Sequence, residues 1–157
     1  KINRMIRDEI LKKIQAEGLA ILKLHDKLKE LKIDHEFIDR KEESTRIETD
    51  KKMSDIINNI VPFYYQIFLE ENGNRISLIQ NVFSYGITEN LIEAYNFEHE
   101  PIIIDHELAA GLISQKKLNS YIIACYEKNE KELEELKEIW QSLITKKINM
   151  QQKEVEK

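Results

Sequence analysis

The chain has 157 residues, with 24 Lys and Arg set against 29 Asp and Glu, for a formal net charge of -5. That balance argues against nucleic acid as a partner, because phosphate binding needs a basic face. It suits an acidic protein that stays in solution or fits a basic groove on another protein. No apolar run approaches the roughly 18 residues needed to cross a bilayer, and no signal-peptide pattern opens the chain, so no membrane is expected and a cytoplasmic protein is.

Taken in order, 2–31 reads as one helix. Ile10, Ile14, Ile21, Leu24, Leu28 and Leu31 recur at three- and four-residue spacing. From Ile14 onward the spacing approaches a heptad seam. Gly18 interrupts the pattern and costs a helix about 1 kcal/mol relative to Ala. It marks a kink, a close approach or a weak point. Asp34 to Arg40 alternates and carries many charges, which suits an edge strand that must not aggregate. Lys41 to Lys52 has Ile47 as its lone apolar residue and reads as a solvated loop or a disordered insert. Met53 to Ile60 fits one or two helical turns, stopped by Pro62.

Phe63 to Leu69 is rich in aromatic and aliphatic residues and predicts a strand. Asn72-Gly73 predicts a tight hairpin turn. The return strand runs from Arg75 to Phe83, with Ile76, Leu78, Gln80 and Val82 on the better core face. Ile79 and Phe83 ask for cover on the other face as well, from a helix or a partner. Gly86 ends the strand, and Thr88 is placed to cap a short helix, Glu89 to Tyr95. Pro101 precedes a short Ile102–Ile104 strand, and Asp105 is placed to cap a helix opening at His106. From Ser114 to about Met150 the pattern is a second long helix, with Leu118, Ile122, Cys125, Leu133, Leu136, Trp140 and Leu143 on its stripe.

The fold class that follows is α+β. A small antiparallel sheet, the hairpin plus one or two edge strands, is flanked by two long helices that form a coiled-coil-like arm. The chain is one unit: 1–32 the first helix, 33–113 the α+β core, 114–150 the second helix. The wide stripe around Trp140 favours a homodimer through the long helices.

Ile76, Ser77, Ser84, Tyr85, Gly86, Leu91, Ile92 and Glu93 follow the pattern of a strand of the type IS-V-----SYG and a short -LLE-MG helix. In this stretch, a quarter to a third of the chain, the sequence resembles small uncharacterised proteins of phages and prophages of Gram-positive bacteria. Those proteins continue into a GYLTAEE-F turn and helix, where this chain has Ile103 to Ala109 instead. The resemblance implies a phage-related origin and brings no activity with it.

Chemistry is sparse. His99, Asp105, His106 and Glu107 offer metal-ligand types, but in no zinc spacing. Ser84-Tyr85-Gly86 lacks the frame of a nucleophile elbow, and no phosphate-cradling glycine loop is present. The lone Cys125 excludes an internal disulfide and sits on an apolar helical face. No cofactor is expected. The aromatic residues offer more, since Tyr and Phe are enriched at interfaces; Tyr64, Tyr65, Phe83, Tyr85 and Trp140 are the candidate protein-binding residues. The function expected is a non-enzymatic module that binds a host protein. An anti-defence, anti-CRISPR-like inhibitor is the form suggested by the resemblance alone. The alternatives are an oligomeric structural or assembly protein of a phage, and a metal-dependent nuclease built on the two histidines.

Overall fold

Alternation along the hairpin sets the architecture. In a computed structural model, which describes residues 4–43 and 62–139, the strands β1 (Glu36–Asp39), β2 (Tyr64–Glu71), β3 (Asn74–Asn81), β4 (Ile92–Tyr95) and β5 (Ile102–Ile104) form one five-stranded sheet. Every neighbouring pair is antiparallel, and the spatial order is the chain order. Asn72 and Gly73, at φ 52° and 81°, make the β2–β3 turn. The protein is therefore α+β, as the sequence pattern predicts, with β1 as the expected edge strand.

One sheet face carries Ile67, Leu69, Ile76, Leu78, Ile92 and Ile104, all buried. The helices α1 (Arg4–Glu17), α2 (Ala20–Glu30), α3 (His106–Ser114) and α4 (Leu118–Glu127) cover this face, and a further helical stretch opens at 41–43. A fifth helix, α5, occupies 130–139, where the described residues end. Asp105 caps α3 as expected, accepting from the backbone N–H groups of Glu107 at 2.8 Å and Leu108 at 3.4 Å. No described helix is long and apolar enough to cross a membrane.

The opposite face is laced with polar contacts. Gln66 Nε2 donates to Ser77 Oγ at 2.8 Å, Arg40 donates to Gln66, and Arg75 lies 4.1 Å over the Phe68 ring and 3.6 Å from Glu36. The helix expected across this face is not found among the described residues.

Three expectations are corrected. The helix at 89–95 is instead a single 3-10 turn, Ile87–Glu89, followed by β4. Asn90, at φ 57° and ψ 45°, stops the turn. Ile92 and Ala94 then bury at period two against β3, and over seven residues their spacing fits either period until a strand partner decides it. The single N-terminal rod is two helices, because Gly18 sits at φ 107°, a left-handed backbone that side-chain-bearing residues rarely adopt. The apolar seam of α2 (Ile21, Leu24 and Leu28) is buried where α2 meets β2, β3 and α3. The rod from Ser114 onward is likewise interrupted, with Lys116 and Lys128 left-handed at φ 57° and 56°. Met53 to Ile60, Trp140 and everything after it lie outside the described residues.

Two helices begin without caps of their own. Leu19 and Lys117, at the N-caps of α2 and α4, provide no side-chain hydrogen bond. The sheet and the turn before β4 supply the acceptors. Asn90 Oδ1 accepts from Ala20 N, and Gln80 Oε1 accepts from Ile21 N, each at 2.9 Å. Gln80 Nε2 donates to Asn90 Oδ1 at 2.9 Å and to Leu91 O at 3.1 Å, and Asn90 Nδ2 donates to Gly18 O at 3.0 Å. Gln80 is fully buried. At the hairpin tip the buried Glu71 takes the N–H of Asn119 at 2.9 Å, and Asn72 donates to Lys116 O at 3.2 Å. Burial pushes the Glu71 carboxyl above the ordinary carboxylate range, while the N–H groups of Asn119 and Leu118 pull it partway back.

Replacing Gln80 by Leu strands the Ile21 N–H and the Leu91 carbonyl in the core. A loss of about 2–4 kcal/mol in urea unfolding is expected. Glu71→Ala removes the α4 cap and is expected to cost about 1–2 kcal/mol by the same measurement.

Candidate protein-binding groove

The β4–β5 connection is held by one amide. Asn96 is buried. Its Oδ1 accepts from Glu98 N at 3.1 Å and from His99 N at 3.0 Å, and its Nδ2 donates to Asn119 Oδ1 of α4 at 3.0 Å. This Asx-type turn holds Phe97 at φ 69°. A bulky residue there costs about 1–2 kcal/mol. Phe97 does not repay that by full burial, since it is 51% exposed; its ring lies against Tyr95, 4.9 Å between centroids. His99 packs edge-on against Tyr126 of α4 at 4.8 Å.

On the far side of β5 the turn after β3 closes up. Gly86, at φ 79°, lies so near Ile103 that a Cβ would meet its Cγ2 at 2.6 Å. No other residue allows that approach. Tyr85 N donates to Glu93 Oε2 at 3.2 Å, and the Tyr85 ring is left in solvent.

Two clefts result, of about 500 and 410 Å³, and they share Glu93, Glu100 and Pro101. Tyr95, His99 and Tyr126 wall the first; Tyr85 and Ile103 wall the second. Tyr85, Phe97, Ile103 and Tyr126 are 71, 51, 47 and 53% exposed, which makes four of the six exposed large apolar side chains described. Glu93, Glu98 and Glu100 line the clefts, and no Lys or Arg does among the described residues. An aromatic wall with carboxylates and no counter-charge is suited to a cationic side chain with an apolar stem.

The residues singled out from the sequence fall in different places. Tyr85 stands at this groove. Tyr64 is half-buried on the polar sheet face, and Tyr65 points to the opposite face, stacked on Phe37 at 5.8 Å. Phe83 is half-buried under the Arg7 guanidinium, 5.5 Å away, while Arg7 donates to Val82 O. Trp140 lies outside the described residues. His99 stands on the groove wall, whereas His106 opens α3 with Nδ1 4.0 Å from Asp105 Oδ2. Among the described residues no three His, Cys, Asp or Glu gather where they could hold a metal. Ser84 Oγ accepts from Asn81 N and donates to Asn81 O, both at 3.0 Å, so it closes a turn. Cys125 is half-buried, and burial pushes its thiol up, away from nucleophilic use.

Tyr126 and the Asn96 turn escaped the sequence reading. A solitary Phe inside the polar stretch Asn96 to Pro101 is the signal that could have found the turn. The chain matches no protein-family model, no curated protein and no solved structure.

Asn96→Ala removes the turn and leaves Asn119 Oδ1 without its donor. The expected result is a loss of about 1–3 kcal/mol in thermal or urea unfolding. Faster amide exchange across 97–99 should accompany it, with β2 and β3 unchanged.

Proposed function

We propose that this chain is a non-enzymatic protein-binding module of phage origin, acting in a bacterial host cytoplasm on a host protein that presents a basic segment. The observation that carries the reading is the concentration of exposed aromatic and aliphatic side chains around one acid-lined groove. Apolar groups left in solvent on one patch mark an interaction surface. The three carboxylates steer a partner bearing Lys or Arg, whose apolar stems lie against Tyr85, Tyr95 and Tyr126. An inhibitor of a host defence system is one form such a module takes, and it is suggested by the phage resemblance.

A second reading rests on α5. Leu136 is buried and Leu133 half-buried on that helix, while Ile139 is 43% exposed at the end of the described residues. A coiled-coil arm continuing from there would make a homodimer, and the protein would then serve in phage assembly.

The test is capture from a Gram-positive host lysate by wild type, Tyr126→Ala and Glu100→Lys side by side. The wild type is expected to retain a host protein through a basic segment. Each variant should bind it at least about 10-fold more weakly, the loss typical of an interface anchor. Binding should also weaken as salt is raised. Equal capture by all three proteins would remove the groove from the account. A stable dimer in light scattering, with no host protein retained, would favour assembly.

A further inference from the structure

Two histidines ten residues apart in the chain meet between α2 and β1. His25 Nδ1 lies 2.9 Å from His35 Nε2, and His35 Nδ1 lies 2.7 Å from the carbonyl oxygen of Ile33. A carbonyl only accepts, so neutral His35 carries its hydrogen on Nδ1. Its Nε2 then accepts from the Nδ1–H of His25. The His25 ring also stacks on Phe37 of β1 at 3.9 Å, and Phe37 stacks on Tyr65 of β2. One line of contacts thus ties α2, the loop before β1, and the outer edge of the sheet.

We propose that the His25–His35 pair is a proton-operated latch, closed when at least one imidazole is neutral and opened when both are charged, which frees β1 from α2.

The geometry accommodates a first proton. On His25 it enters at Nε2 and leaves the bond as it is. On His35 it enters at Nε2, which then donates to a His25 Nδ1 whose own hydrogen has moved to Nε2. The bond survives either way. A second proton sets two N–H groups against each other across 2.9 Å, and the rings must part.

On α2, Lys29 opposes a charge on His25 and Asp26, the smaller influence, favours one; these two lie 3.6 Å apart. Asp34 and Glu36 flank His35, with Glu70 and Arg75 across a shallow cleft of about 410 Å³. The nearby carboxylates outnumber Arg75 there. From β1 and β2 the pair meets Phe37, with Tyr65 behind it. Among the described residues no third metal ligand joins the two rings.

Burial, then His35, hold the His25 imidazole below its ordinary value of 6.5. The folded chain therefore binds fewer protons than the unfolded one just below that pH. The stability contributed by the neutral pair is complete above 6.5 and is lost as pH falls from there through the lowered folded value. Once freed from α2, β1 is still paired with Tyr65, Gln66, Ile67 and Phe68 of β2, and fraying of this four-residue ladder would expose the hydrogen-bonding edge of β2. An exposed strand edge invites another chain.

The experiment follows both imidazoles by NMR in the full chain from about pH 7.5 to 5, the range in which histidine titrates. Exchange of the β1 amides is measured alongside. The wild type is expected to show two coupled titration steps. Its β1 protection, corrected for intrinsic rates, should fall about tenfold for each unit of pKa depression, while β3 stays protected. His35→Gln keeps an acceptor for His25 and never opposes it with a second charge, so the fall of its β1 protection with pH should be smaller than in the wild type, with burial of His25 alone left to cause it. Two independent one-step titrations with constant β1 protection in the wild type would overturn the latch. If His35→Gln does not fold, the wild-type measurements decide alone.

Discussion

A helix must find acceptors for its first N–H groups, and in this protein two helices find them on the sheet. That constraint explains an otherwise costly choice, a fully buried glutamine near the end of β3. An apolar side chain at position 80 would pack as well, but it would leave the break between α1 and α2 with unpaired backbone inside the core. Unpaired groups there are worth several times a solvent-exposed hydrogen bond. Gln80 and Asn90 thus determine where α2 starts and how it is aimed across β2 and β3. Glu71 does the same for α4, and α4 in turn brings Asn119 to Asn96 and Tyr126 to the groove.

The groove therefore lies at the end of a chain of polar supports. Glu71 places α4, Asn119 of α4 holds Asn96, and Asn96 holds the turn that lifts Phe97 into solvent. Each link is a short amide or carboxylate bond between buried groups, which restricts motion more than apolar contact does. Backbone strain at an exposed Phe makes sense only on so firm a base. The sheet itself divides the labour: one face is spent on the core, and the other, wet face carries Glu93 and Tyr95 to the groove.

Much of the fold was legible because its signals were local. Asn72-Gly73 specified the hairpin, alternation from Ile76 to Val82 specified its buried face, and Asp105 specified the start of α3. The β4 strand was not legible, since Leu91, Ile92 and Tyr95 suit a helix until β3 is there to pair with them. Gly18 was visible as a possible kink, though not as the end of a helix, and nothing in the side chain of Lys128 announced its left-handed backbone. Of the groove, Tyr85 was visible as an exposed aromatic at a turn. Tyr126 and the His25–His35 contact were not, because α4 meets the β4–β5 turn, and α2 meets the loop before β1, only in three dimensions.

Trans-capping also bears on the order in which the molecule assembles. β2 through β5 pair only with sequence neighbours, so the meander can close through short loops. α2 spans 11 residues, below the length at which a lone helix holds together in water. A peptide copied from α2, or a shortened chain lacking β3, would forfeit both the acceptors and the apolar bed. It would populate coil, and the helix would emerge only as the last turn of a cooperative transition led by the ribbon at the centre.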